Sequence, residues 1–237
     1  MKYLITSSLL DSYDWLKSCP KTWQDRAQDE FIAMIRREPR PTSEACQRGI
    51  DFENLVCEKC NNMNDEEFKD YAFSYYDHKG IKGYDRDIAV YTTLNVAKVI
   101  RGGQQQVPVM KDVVLNGEEY HLFGYADIIF PNKIIDIKTT SNYKEGYHYV
   151  KRSQHYLYSM CTGINTFEYL VADYKDSKVP RDLHRIEFEM NQEENLWVLE
   201  RRIGNLIHFL KNSGLFGDYC NIFTAKHDDN KKKGEVK

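Results

Sequence analysis

Between Val107 and Thr140 the chain reads as three strands joined by two turn signals, and this run limits the fold more than any other. VPVMKDVVL ends at Asn116-Gly117, a dipeptide that favours a tight hairpin. EEYHLFGYADIIF follows, and Pro131-Asn132 turns the chain into KIIDIKTT. Asp127, Asp136 and Lys138 interrupt this otherwise apolar second hairpin. Opposed residues in an antiparallel pair have position numbers of constant sum, and a turn centred on Pro131-Asn132 sets that sum at 263. Asp127 and Asp136 satisfy it, so the register places them face to face. Their Cβ atoms would lie ~4.5–5.5 Å apart, where like charges destabilise a sheet. A cation between them relieves the repulsion, and Mg²⁺ and Mn²⁺ favour carboxylate oxygens. Strand alternation puts Lys138 on the face of Asp136, with Ile135 and Ile137 on the other. Charged or neutral, such a lysine can orient or activate a water and stabilise charge on a phosphate. The competing reading is a strand with one solvated face, on which a D-x-K tripeptide carries no chemistry.

The residues before Gly103 read as helical. SSLLDSYDWLKSC follows a capping Ser7 or Ser8 and closes at Pro20, and QDEFIAMIRRE is a second amphipathic segment stopped by Pro39 and Pro41. Thr42 or Ser43 caps a third helix through GIDFENLVCEKC. DEEFKDYAFSYYD and RDIAVYTTLNVAKVI are two more, the second ended by Gly102-Gly103. After the three strands comes one helix, GYHYVKRSQHYLYSMC, with Gly163 as its C-terminal cap. TFEYLVADYK and LHRIEFEM are strands, and Asn191 caps a long final helix, QEENLWVLERRIGNLIHFLKN. The order predicts an α/β or α+β protein: a mixed sheet flanked by helices, with a helical N-terminal lobe.

With 237 residues the chain can bury a sizeable core. Its net charge of −3 gives no global basic field, although a local basic groove can still hold a nucleic acid. No apolar run approaches the ~18 residues of a membrane span. MKYLITSSLLDSYDWLKSCP reads as a helix rather than a signal peptide, so the expected location is cytoplasmic, in a bacterial or phage-infected cell. The six cysteines are expected to be reduced thiols.

Gly124-Tyr-Ala-Asp127, Asp136-Ile-Lys138 and Gln154-His-Tyr-Leu-Tyr158 occur in order on a strand, a strand and a helix. Together they resemble the G-x-x-D, D-x-K and Q-x-x-x-Y motifs of the PD-(D/E)xK nuclease superfamily, in the branch of RecB-type and phage exonucleases. TSSLLDSYDWLKSCP resembles the S-x-L-x-x-Y-x-x-C-P opening of that branch. The likeness covers about residues 45 to 175. It implies a restriction-endonuclease-like fold and a single nuclease domain over 1–222. Of this, 1–103 would be mainly helical, 104–215 would hold the catalytic sheet and helices, and 223–237 would be a polar flexible tail.

The resemblance implies a Mg²⁺- or Mn²⁺-dependent DNA nuclease using one or two ions, an exonuclease serving recombination or end processing. Glu53, Asp127, Asp136 and the Ile137 carbonyl would hold metal. Lys138 and Gln154 would complete the catalytic set. Gln154 and Tyr158 share a helix face by their i, i+4 spacing. Tyr158, Lys151 and Arg152 would meet substrate, with Lys144 extending the basic strip. Core packing for Tyr158 and a solvated face for the cations are the plain alternatives. DNA is the expected partner; an annealing protein and a homo-oligomer are carried over from family habit. Cys19 matches one cysteine of the iron–sulfur set of some relatives. Only Cys161 and Cys220 lie beyond residue 60, and a cubane cluster normally needs four thiolates, so no cluster is expected. Cys57 and Cys60 sit inside a predicted helix without a second metal-binding pair and read as structural thiols. Two other functions stay open: a structure-specific endonuclease of the same fold and a non-catalytic DNA-binding or assembly module.

Overall fold

Asn116 and Gly117 both take positive φ, 51° and 79°, as a type I′ turn requires. This turn joins β2 (Gln104–Leu115) to β3 (Glu118–Ile129), and the two pair antiparallel from Leu115–Glu118 to Gln104–Ile129. We describe a computed structural model, covering residues 2–39, 41–144, 146–175 and 177–223. The predicted tail from residue 224 onward lies outside the described residues.

β4 (Lys133–Thr140) pairs with β3 through Ile128–Ile135 and Ile129–Ile134, the register deduced from the sequence. β4 then runs parallel to β5 (Thr166–Asp173), and β5 antiparallel to β6 (Asp182–Glu189). β5 is buried along nearly all of its length and β4 over Ile134–Ile137, as strands covered on both faces must be. The sheet is therefore mixed and flanked by helices, as the element order predicts.

The N-terminus departs from the helical reading, because Tyr3–Ile5 form a strand, β1, parallel to β3 at Tyr120–Leu122. Leu4 and Ile5 are 1% and 0% exposed; three residues are too few to show a period in sequence. Thr6, rather than Ser7 or Ser8, caps α1 (Ser7–Ser18), its hydroxyl accepting from the Leu9 N–H. β2 occupies one edge of β3 throughout. β1 and β4 share the other edge, at residues 120–122 and 128–129, with residues 123–127 between them.

α2 spans Gln24–Ile35, starting one turn earlier than predicted. Ser43 caps α3 (Glu44–Cys60), and α4 (Asp65–His78) and α5 (Gly83–Ile100) follow. The single helix expected after β4 is two: α6 (Tyr147–Val150) and α7 (Gln154–Thr162). The break has a tertiary cause. The Ser153 N–H donates to the Asp11 carboxylate at 2.6 Å, while Arg202 donates to the Lys151 carbonyl and the Ser153 hydroxyl at 2.9 and 2.8 Å. α8 (Gln192–Asn212) matches its prediction residue for residue, and a short α9 (Phe216–Ile222), not foreseen, follows it. Among the described residues no helix is long and apolar enough to cross a membrane.

Two apolar clusters lie on opposite faces of the sheet. One joins α1, α2, α7, α8 and α9 to Leu122, Ile134 and Tyr169. The other joins α3, α4 and α5 to Ile135, Ile137 and Leu170. Gly124 lies on β3 between the β1 and β4 pairings. A Cβ there would stand 2.4 Å from Cε1 of Tyr158, so the glycine makes room for that ring. Gly124→Ala should cost about 1–3 kcal/mol by overpacking; thermal and denaturant unfolding measure it, and an unchanged stability would refute the close contact.

Candidate active site

β4 carries the centre of the site. Its alternation sends Ile135 and Ile137 into the α3–α5 cluster, and turns Asp136 and Lys138 toward α7. Asp136 is fully buried. Its Oδ1 accepts from Gln154 Nε2 at 2.5 Å, and the Lys138 ammonium forms an ion pair with Oδ2. Apart from that ion pair, Oδ2 has no hydrogen-bond partner. The Lys138 side chain is 30% exposed, so the pair opens toward solvent on the lysine side. Gln154 also donates to the Tyr158 hydroxyl at 3.2 Å, and Tyr158 is 4% exposed. The i, i+4 pair thus reaches the acid through its first member and packs through its second.

Asp127 lies one step past the last β3–β4 rung. Its Oδ2 accepts from the Ile137 N–H at 2.8 Å, so a side chain takes the place of a ladder bond and the two strands part at the acids. Across β3 the ladder with β2 skips the rung between Gln106 and Asp127. Gln106 adopts φ 49°, uncommon for a residue with a side chain. Ala126 belongs to one apolar cluster and Ile128 to the other, so the buried face of β3 switches at Asp127. Gln106 Nε2 donates to Oε1 of Glu53, on α3. Sequence inspection missed Gln106 because nothing in GGQQQVP distinguishes one glutamine from the next.

Electrostatics tie these groups together. Burial, and then Asp136, push the Asp127 carboxyl up to about 8, despite Lys138 and the Ile137 N–H. Burial and the Asp136 charge also raise Glu53. Burial raises Asp136 itself, outweighing Lys138. Burial works against the charge of Lys138, but Asp136 and Asp127 together hold its pKa above the ordinary lysine value. The Tyr158 phenol is pushed up to about 12, by burial and then Asp136. Three carboxyls thus crowd around one ammonium, and all three hold protons more tightly than usual.

A cavity of about 380 Å³ opens over Lys138, Gln154 and Tyr158, with Arg152 at its edge and Ser8, Asp11 and Trp15 of α1 as its far wall. Arg152 Nη1 lies 3.5 Å from Asp11. Lys151 does not line this cavity; its ammonium lies 4.4 Å from the Tyr147 ring centroid. Lys144 is exposed in the loop before α6. The six cysteines are free thiols, and burial raises both Cys57 and Cys60 within α3.

The donor set fits a hard divalent cation: carboxylate oxygens, one of them the buried Asp136 Oδ2 that accepts no hydrogen bond. Among the described residues, however, no three His, Cys, Asp or Glu side chains stand close enough together to form a ligand cluster. Gln154, Lys138, the Ile137 N–H and Gln106 hold the acids instead. Metal binding would have to draw Lys138 off Asp136.

No family profile and no curated protein matches the chain. Solved structures do. LHK-Exo in complex with dAMP is 13% identical with a TM-score of 0.47, covering 88% of this chain and 88% of its own. An alkaline exonuclease (LHK-Exo) from Laribacter hongkongensis is 14% identical at a TM-score of 0.43, covering 89% and 92%. SSO0001 is 15% identical at 0.40, covering 77% and 85%. At such identities and scores, the chemistry has to be read from the chain's own residues.

A carboxyl whose folded pKa exceeds its unfolded value contributes stability that is full below the unfolded value and lost as pH rises through the folded value. Asp127 moves from 3.8 to about 8. In chelator, the melting temperature should therefore fall from about pH 4 to about pH 8, and Asp127→Asn should flatten that fall. Added Mn²⁺ should restore stability most at the upper end, where Asp127 is deprotonated. Scanning calorimetry across the pH range reads both effects, and equal slopes in the two proteins would refute the assignment.

Proposed function

We propose that the chain is a Mg²⁺- or Mn²⁺-dependent DNA nuclease, an exonuclease of phage or prophage type that processes ends during recombination. The observation that carries this reading is the buried Asp136 clasped between Lys138 and Gln154, with Asp127 and Glu53 in its field. Glu53, Asp127 and Asp136 would hold the metal, with the Ile137 carbonyl as a further ligand. When bound, one or two such ions supply Lewis-acid stabilisation of the charge that develops on the phosphate oxygens.

The protein's own groups do the rest. Gln154 fixes the rotamer of Asp136 by bonding one oxygen and leaving the other for coordination. With the charge of the acids compensated, Lys138 would be free to turn its ammonium to the attacking water or to the scissile phosphate. Either role suits its position at the open side of the site. Arg152, at the cavity edge, offers a charge-assisted contact to a phosphate of the bound strand. Tyr158 lines the cavity beneath these groups and keeps Gln154 in place. Gln106 orients Glu53 from the opposite strand. Lys151 would meet the DNA backbone outside the cavity.

Linear duplex DNA with Mg²⁺ tests the reading. Asp136→Ala and Lys138→Ala should each lower the cleavage rate by about two orders of magnitude or more, and chelator should abolish it. Wild-type rates in both variants would overturn the assignment. Degradation of linear DNA with closed circles left intact identifies the exonuclease; cleavage of the circles would make it an endonuclease.

A further inference from the structure

Away from the acids, two adjoining cavities of about 480 and 340 Å³ share Tyr75 of α4 and Lys79, the residue that caps it. The larger runs between α3, α4 and the turn after β5. Arg48 of α3 holds its guanidinium 5.0 Å from the centroid of Tyr174, and the Lys79 ammonium lies 5.5 Å from that of Tyr75. Exposed Lys178 completes the larger cavity's cations, and Tyr71 and His78 extend the row into the smaller one. Glu44 and Asp51 also line the larger cavity, and Asp51 pairs with Lys79 at 3.3 Å. Arg48 and Lys178 have no ion-pair partner among the described residues.

This groove borders the candidate site. The Tyr174 N–H donates to the Thr140 carbonyl at 2.7 Å, two residues beyond Lys138 on β4. A Cβ on Gly49 of α3 would lie 3.3 Å from the Thr139 hydroxyl. Arg48 and Glu53 are five residues apart, about 140° around α3. One helix therefore turns one flank to the acids and the other to the groove, both beside the C-terminal ends of β4 and β5.

We infer that this groove binds single-stranded DNA, guiding a strand past the acids. The choice of ligand rests on the nuclease reading. The half-buried rings of Tyr71 and Tyr75 give sequence-tolerant platforms for bases, and the cations beside them, with Arg48 over the buried Tyr174, follow the phosphates. Two connected open cavities suit successive nucleotides of a polymer better than one enclosed small molecule, which a pocket would largely engulf.

Fluorescein-labelled oligothymidylate in chelator, followed by anisotropy across a salt series, measures the groove without any cleavage. Tyr75→Leu should weaken binding about tenfold through lost stacking. Arg48→Gln and Lys178→Gln should each reduce the slope of log affinity against log salt by about 0.7. Lys178 is exposed, so its variant keeps the test open if a ring substitution disturbs folding; melting temperatures check each protein. Wild-type affinity and slope in the folded variants, or no oligothymidylate binding by the wild type, would overturn the inference. Failure of the nuclease reading shows differently: duplex DNA stays intact in Mg²⁺ whatever oligothymidylate does.

Discussion

The carboxylate of Asp136 is the constraint around which the rest of the site is arranged. A fully buried anion is expensive unless paired and hydrogen-bonded, and this one is held by an amide from α7 and an ammonium two residues along its own strand. To bring Gln154 there, α7 must lie across β4. That in turn requires the break after α6, anchored by Asp11 and Arg202. The Tyr158 ring then falls on β3, where only a glycine leaves it room. One ion pair and its amide partner thus connect the geometry of four elements.

The second constraint is a local distortion of the sheet. A regular β2–β3–β4 ladder would pair Gln106 with Asp127 and carry the strands straight past the acids. Instead Gln106 occupies a left-handed conformation, which costs about 1–3 kcal/mol for a residue with a side chain. Its side chain reaches Glu53, and Asp127 caps the Ile137 N–H. Backbone strain of this kind tends to gather where a side chain must be aimed rather than packed. Here it re-aims two acids at once, Asp127 directly and Glu53 through the glutamine.

Crowded carboxyls give the site a distinct electrostatic character. Three acids share one ammonium, and burial raises the pKa of each. Such an arrangement stores repulsion that a divalent cation would release, consistent with the acids standing short of ligand geometry while amides and Lys138 occupy their oxygens. The bordering groove differs in kind: Tyr71 and Tyr75 are half-buried, Lys79 and Lys178 are exposed, and its charges nearly balance. Under the proposed nuclease reading, the two regions would divide strand hydrolysis between a desolvated centre for chemistry and an open track for holding a polymer.

Near-neighbour chemistry made much of this legible in the sequence. Asn116-Gly117 and Pro131-Asn132 set the turns, and the constant-sum rule placed Asp127 beside Asp136 before any tertiary contact was known. Strand alternation put Lys138 with Asp136, and the i, i+4 spacing put Gln154 with Tyr158. Asn191 and Ser43 marked helix starts correctly, because a cap needs only a side chain and the N–H groups that follow it. What the sequence left undecided depends on residues far apart along the chain. β1 pairs with a strand more than a hundred positions away. Asp11 breaks a helix 142 residues later, and Glu53 meets a glutamine 53 residues on. Periodicity and turn propensity record what a segment does to itself; only packing decides which distant side chain reaches an orphaned N–H or a buried carboxylate. The sequence therefore determined the acids, the lysine and their register, and the tertiary structure decided how they are held.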